Sequence, residues 1–247
     1  MNSKYIIKYM IKIMMIILLL GKASEATSIK NNKLWYIILD VSSSIDKEQR
    51  ITYCKWFRKV MEKIIEPKDG SILILRIIQE VDNQSQAKSG TIEFNEIPEP
   101  TPWETTHKSK MMMIERKKKI DELVDDVCKQ LKDKKSKQTP ILWSLYQTSK
   151  DMKQFAECSE KNIIIFSDMQ EVSSIANFEN NPLDDRDVQK ILNNIQKIGI
   201  IPELNSVKIL IAGALSSDER RSVEIEKFWR EYFKKSNVFE INFRAEY

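Results

Sequence analysis

Two carboxylates and a small set of hydroxyls carry the chemistry this 247-residue chain could do. They are Asp40, Ser42 and Ser44 in the run Asp40-Val41-Ser42-Ser43-Ser44, Thr139 in Gln138-Thr139-Pro140, and Asp168 after Ser167. Every one is a hard oxygen donor. Such a set suits Mg²⁺, which takes near-octahedral oxygen coordination and keeps several waters, with Mn²⁺ as a substitute. A carboxylate followed by two hydroxyls at alternate positions converges on one point only where the chain curls around that point. The plainer reading of Ser42 to Ser44 is that they cap the next helix.

Other chemistries are excluded. The five glycines stand at 21, 70, 90, 199 and 213, so neither G-x-G-x-x-G nor a P-loop can be written. With His107 as the single histidine there is no H-E-x-x-H zinc site and no Ser-His-Asp relay in any motif; His107 itself reads as a loop residue. Cys54, Cys128 and Cys158 form no C-x-x-C pair. In an oxidising compartment two of them could join and leave one free, and three buried thiols fit equally well. The sequon Asn83-Gln84-Ser85 matters only in a glycosylating host.

Apolar runs set the positions of the oxygen groups. Leu34 to Leu39 is continuously apolar and ends at Asp40, as suits a strand buried on both faces. From Asp46 to Ile65 the period becomes helical, with Ile51, Cys54, Phe57, Met61 and Ile64 on one face and Trp56 and Val60 beside it; Asp46 and Gln49 resemble an N-terminal cap. Ser71–Ile78 and Thr91–Ile97 read as strands, the latter as an antiparallel edge because no helix separates the two. A loop bearing Pro98, Pro100 and Pro102 precedes a long helix near 111–135 with the stripe Ile120, Val124, Val127 and Leu131. Met111 to Met113 are expected in the core.

A helix after Thr139-Pro140 carries Leu142, Leu145 and Tyr146, and a fourth strand, Asn162–Phe166, closes on Ser167-Asp168. A helix from about 184 to 198 and a strand, Val207–Ala212, follow. Ser216 and Glu219 form a capping box for the last helix, faced by Ile225, Phe228, Trp229, Tyr232 and Phe233, and Val238–Phe243 reads as a final strand. The alternation predicts an α/β fold: a doubly wound, Rossmann-like, mostly parallel sheet with one antiparallel edge strand and helices on both faces. In such sheets ligands bind beyond the carboxyl ends of the strands, where Asp40 and Asp168 stand.

At these residues the chain resembles a family. WYIILDVSSSI, Trp35 to Ile45, looks like the opening of a von Willebrand factor type A (vWA) domain with a metal-ion-dependent adhesion site. Asp40, Ser42 and Ser44 match its Asp-x-Ser-x-Ser, Thr139 its threonine and Asp168 its last aspartate, the likeness running over about residues 33–245. Gln138 and Met169 stand where many members have glycine. The resemblance implies Mg²⁺ held by the serines and threonine, aspartates acting through water, and a partner protein's Glu or Asp completing the coordination. Neutral hydroxyls around the ion leave it under-neutralised and so attractive to that carboxylate. The loop from Pro98 to Lys110, with Trp103, is a candidate for partner specificity.

Lys4, Lys8 and Lys12 followed by the apolar run Ile13–Leu20 and small residues read as a secretory signal peptide, residues 1–26, cleaved after Ala26 or Ala23. Retained, the segment would serve as a membrane anchor. Residues 27–32 are then a short lead-in and 33–247 a single domain. Removing the segment's four lysines and one glutamate takes the net charge from +4 to +1, which gives no reason to expect nucleic-acid binding. Lys108 to Lys137 holds eleven basic and six acidic residues, interleaved as on a solvated helix face. The expectation is an exported, non-enzymatic, Mg²⁺-dependent protein-binding module with no catalytic residues. A metal-independent structural subunit of a surface or secretion assembly is the alternative. A hydrolase using a strand-end aspartate is a third reading, weakened because Ser42 stands where such enzymes want a second aspartate.

Overall fold

In the computed structural model the described residues are 32–64, 70–78, 90–94, 97, 106–133, 135–179, 183–213 and 219–244. The leader at 1–26, the sequon at Asn83, the loop with Trp103 and its three prolines, and the capping serine Ser216 lie outside them. Chain contacts separate Met1–Lys30 from a second unit, Asn31–Tyr247, to which the following applies.

The apolar runs become six strands: β1 (Lys33–Asp40), β2 (Ser71–Ile78), β3 (Gly90–Phe94), β4 (Glu160–Phe166), β5 (Val207–Ala212) and β6 (Glu240–Arg244). Between them lie α1 (Lys47–Ile64), α2 (Thr106–Asp133), α3 (Ile141–Met152), α4 (Asp185–Lys197) and α5 (Glu219–Lys235). The sheet runs β3-β2-β1-β4-β5-β6, parallel except for β3 at one edge. This is the doubly wound, mostly parallel architecture with one antiparallel edge strand expected from the alternation. Its strand order reverses direction between β1 and β4, and that reversal opens a crevice at their carboxyl ends.

Each strand sends alternate residues to opposite faces. Ile37, Leu39, Leu73, Leu75, Ile164 and Phe166 face α1 and α2, meeting Phe57, Val60, Val124 and Leu131. Tyr36, Ile38, Ile74, Ile163, Ile165 and Ile209 face α3, α4 and α5, meeting Leu145, Leu192, Phe228 and Trp229. Burying one such side chain fully contributes about 1.5–3 kcal/mol, more than a helix cap at about 1 kcal/mol, so the two apolar layers fix where the helices lie. The cap at α1 is present too: Gln49 N–H donates to Asp46 Oδ1 at 2.8 Å while Asp46 N–H donates to Gln49 Oε1 at 3.0 Å.

Three expectations are corrected. Met111 and Met113 are 44% and 49% exposed rather than core. Three consecutive helical residues span about 200° of arc, so they cannot share the buried stripe. Ile51 is also exposed, because the inward face of α1 centres on Tyr53, Phe57, Val60 and Met61. His107 belongs to the first turn of α2 rather than to a loop. Of the two readings open for the cysteines, the paired one holds: Cys54 on α1 and Cys128 on α2 form a disulfide with Cα atoms 5.3 Å apart, and Cys158 is free and buried.

Candidate metal centre

Asp40 is the last residue of β1 and is wholly buried. Its carboxylate is held on both oxygens: Ser42 N–H donates to Oδ1 at 2.7 Å and Ser167 Oγ to Oδ2 at 2.6 Å. The Ser42 hydroxyl also bonds it. The curl that this spacing requires is therefore present, with the backbone of Ser42 turned back onto the aspartate two residues earlier. Ser42 Oγ in turn lies 2.8 Å from Ser44 Oγ, and the Ser44 hydroxyl favours the ionised form of Asp168. Asp40, Ser42, Ser44 and Asp168 thus form one polar arch joining the ends of β1 and β4.

Main-chain bonds bring the third segment to the same rim. Ser136 N–H donates to Val41 O at 3.0 Å, and Ser43 N–H donates to Ser136 O at 2.8 Å. Three residues on, Thr139 N–H donates to Val172 O at 2.8 Å and receives Val172 N–H at 3.3 Å. The α2–α3 connection is thereby stitched to the loop after β1 on one side and to the loop after β4 on the other. Thr139 is buried on this connection, two residues before α3.

The loop after β4 is tightly folded. Ser167 Oγ accepts Met169 N–H at 2.8 Å, and Asp168 Oδ1 accepts Gln170 N–H at 3.0 Å. Between them Met169 adopts φ +61°, a left-handed conformation that glycine reaches without steric cost. The backbone therefore demands a conformation best suited to glycine, and here a methionine meets the demand. Its buried side chain joins the core and its carbonyl accepts Trp229 Nε1–H at 2.9 Å.

Three groups outside the expected set organise the rim. Arg50, one turn into α1, is buried and donates Nε–H to Ile45 O (2.9 Å), Nη1 to Leu131 O (2.8 Å), and Nη2 to Val41 O (3.0 Å) and Ser42 O (2.7 Å). Its positive charge also favours ionised Asp40. Glu171 is buried and caps α3 from a distance, accepting the N–H of Leu142 at 3.0 Å along with the hydroxyl of Ser173. Ser167 completes the hold on Asp40. Only Ser167 carried a signal, as the hydroxyl before the second aspartate. Nothing in the sequence around Arg50 marks it, and nothing local connects Glu171 to a helix start 29 positions away.

Carboxylates crowd this rim. Burial raises the pKa of Asp40, with the bonds from Ser167 and Ser42 and the charge of Arg50 opposing. Asp168 is pushed up to about 7 by burial and then by the nearby charge of Asp40. Two carboxylates that share a dry site resist ionising together unless a cation joins them. Among the described residues no group of three or more His, Cys, Asp or Glu is set to hold a metal. The arch offers two carboxylates, and its remaining donors are hydroxyls, a set that fits a hard divalent ion.

No protein-family model matches the chain, and neither does any curated protein. Among solved structures it is similar to the manganese-loaded TRAP protein of Plasmodium vivax, at 10% identity and a TM-score of 0.41 over 87% of this chain and 69% of that one. It is also similar to proximal thread matrix protein 1 of the mussel byssus, at 8% identity and a TM-score of 0.38 over 85% of this chain and 46% of that one. A third is the pilus adhesin SpaC of Lactobacillus rhamnosus GG in an open conformation, at 10% identity and a TM-score of 0.41 over 85% of this chain and 28% of that one. The chain spans less than half the length of the last two. The fold assignment rests on the strand order and register given above.

Proposed function

We propose that the chain is a non-enzymatic protein-binding module that holds Mg²⁺ at the rim between β1 and β4. Ser42, Ser44 and Thr139 would supply hydroxyl ligands, with Asp40 and Asp168 acting through water. Bound there, the ion would supply a positive charge with an open coordination position for an acidic side chain of a partner. The observation carrying this reading is the arch Asp40–Ser42–Ser44–Asp168, in which two buried carboxylates with raised pKa are joined through two hydroxyls. Asp40 spends both oxygens on protein donors, which suits a carboxylate acting through water rather than in direct contact.

The chain's own residues would shape recognition. One carboxylate–metal bond cannot select a partner, so selection falls to the surface around the rim. A nucleophilic role for Asp40 is disfavoured because Ser167 and Ser42 hold it and it is wholly buried. The leader at 1–26 would send the module out of the cytoplasm, where a disulfide between Cys54 and Cys128 persists. No described helix is long and apolar enough to cross a membrane.

Calorimetric titration of Mg²⁺ and Mn²⁺ into the EDTA-treated protein, beside Asp40→Ala, tests the reading. Saturable one-site binding, lost in the variant, is expected. Wild-type protein that takes up neither ion would favour the metal-independent assembly subunit, which an EDTA-insensitive partner interaction would then establish.

A further inference from the structure

β6 is an edge of the sheet: among the described residues it pairs with β5 on one side and with no strand on the other. Gly213 N–H donates to Arg244 O at 3.2 Å, so the peptide groups of Arg244 face β5. Peptide groups alternate in direction along a strand, which turns those of Glu240 and Asn242 to β5 as well and those of Ile241 and Phe243 outward. An edge offering free N–H and C=O groups is a template for a further strand. The side chains add an apolar element. Ile241 and Phe243 lie on the α5 side, only partly buried, and Phe239, just before the strand, is 71% exposed.

The strand is its own complement. Its sequence is Glu240-Ile241-Asn242-Phe243-Arg244. Laid antiparallel on a second copy with Asn242 at the two-fold axis, it sets Glu240 opposite Arg244, Ile241 opposite Phe243 and Asn242 opposite itself. The outward peptide groups then belong to the Ile241–Phe243 pairs, which exchange both hydrogen bonds, and Asn242 falls at the closer, non-hydrogen-bonded position. An opposite-charge or apolar cross-strand pair contributes about 0.2–1 kcal/mol, whereas like charges placed opposite are destabilising. An axis at Ile241 would keep the peptide groups matched but set Glu240 opposite Asn242 and Arg244 opposite Val238, losing the charge pairs. The other edge strand, β3, carries one charged residue, Glu93, and cannot form an opposite-charge pair with itself. Charges on an edge ordinarily deter pairing; on β6 their opposite signs at mirror positions admit the strand's own copy.

We propose that β6 is a self-association surface, on which a second copy of this chain pairs antiparallel around Asn242 and joins the two sheets edge to edge. The contact is isologous, so it closes as a two-fold dimer instead of growing into a filament. Phe239 of each copy then lies diagonally across from Phe243 of the other, within reach of an aromatic side chain. A five-residue ladder is short, which sets this dimer among the weak, concentration-dependent contacts of less than about 1,200 Å². β5 separates β6 from the rim between β1 and β4, so the surface is independent of the metal reading.

Sedimentation velocity of the full chain at rising concentration tests the proposal. The wild type should pass from monomer toward dimer in the high-micromolar range. Glu240→Arg alone sets arginine opposite arginine, and Arg244→Glu alone sets glutamate opposite glutamate, so each variant should stay monomeric. An equimolar mixture of the two restores opposite charges at both ends and should dimerise as the wild type does, an outcome that misfolding of either variant would not give. Asn242→Cys reads the register. At the axis its two Cα atoms would stand about 4.5 Å apart, within the span of a disulfide. Under mild oxidation it should cross-link into a dimer much faster than Lys208→Cys, which lies one strand in on the same exposed face. A wild type that is monomeric throughout, charge variants that dimerise alone, a mixture that stays monomeric, or equal cross-linking of the two cysteine variants overturns the proposal.

Discussion

The guanidinium of Arg50 and the carbonyl of Leu131 meet at 2.8 Å, joining the first turn of α1 to the last turn of α2. The same guanidinium holds the carbonyls of Val41, Ser42 and Ile45, so one side chain fixes both the serine loop and the helix end that leads to Ser136 and Thr139.

Arg50→Lys should therefore loosen the rim although the charge is kept. An ammonium offers three donors from one atom and cannot reproduce a planar fork spread over four carbonyls. A loss of roughly 2–4 kcal/mol of stability is expected, since hydrogen bonds from charged groups are worth about 1.5–3 kcal/mol each and some are recovered. Urea unfolding reads the stability, and calorimetry should show Mg²⁺ affinity falling at least about tenfold. Unchanged values for both would show that Arg50 does not organise the loop.

Met169→Gly sets two effects against each other. Glycine relieves the left-handed backbone by about 1–2 kcal/mol. It also deletes a fully buried side chain from the core, which costs about 2–5 kcal/mol. The cavity should win, and thermal unfolding of the variant is expected several degrees lower. A higher midpoint would mean that the methionine packs poorly and the backbone strain dominates.

Glu171 ties stability to pH. Its carboxyl is pushed up to about 8 by burial, against the bonds from Ser173 and Leu142. The unfolded group titrates near 4.5. Between these values the folded protein holds the proton and the unfolded chain does not, so this contribution is complete below about 4.5 and fades as pH rises through 8. Glu171→Gln should flatten the pH dependence of the urea midpoint over that window. A variant with the wild-type slope would place the titration elsewhere.

Proton and metal compete at the rim. Asp168, with its pKa near 7, must lose its proton before it can serve a cation. Mg²⁺ binding is expected to strengthen from pH 6 to pH 8 and then level off. Asp168→Asn should abolish both the binding and its pH dependence; binding that is level across the range argues against Asp168 as part of the site.

Reduction of the Cys54–Cys128 bridge should lower stability by about 2–4 kcal/mol, the range typical of disulfides. The double variant Cys54→Ser, Cys128→Ser should show the same urea midpoint with and without reductant. Its Mg²⁺ affinity should also fall, because the bridge lies one turn from Arg50 on α1 and three residues before Leu131 on α2.

The fold was legible because continuous apolar runs such as Ile37 to Leu39 and Ile163 to Phe166 identify buried parallel strands, and carboxylates placed at their ends identify a rim. The bonds closing the arch follow from that placement. Arg50 and Glu171 were illegible for a different reason. Each acts on main-chain groups far away in sequence, and a carbonyl or amide carries no residue type to be read. Cys54 with Cys128 shows the same limit: α1 and α2 must be set side by side before two of three cysteines become a pair. Met111 and Met113 misled because composition says nothing of angle around a helix.

The bonds from Ser43 to Ser136, from Ser136 to Val41, and between Thr139 and Val172 run entirely through peptide groups. Such a lattice is indifferent to which side chains it carries. A position such as Gln138, whose side chain takes no part in these bonds, is free of that constraint, and the hydroxyls stand where the peptide lattice holds them. In this protein the segments that carry Ser42, Thr139 and Val172 are therefore held together by the path of the backbone.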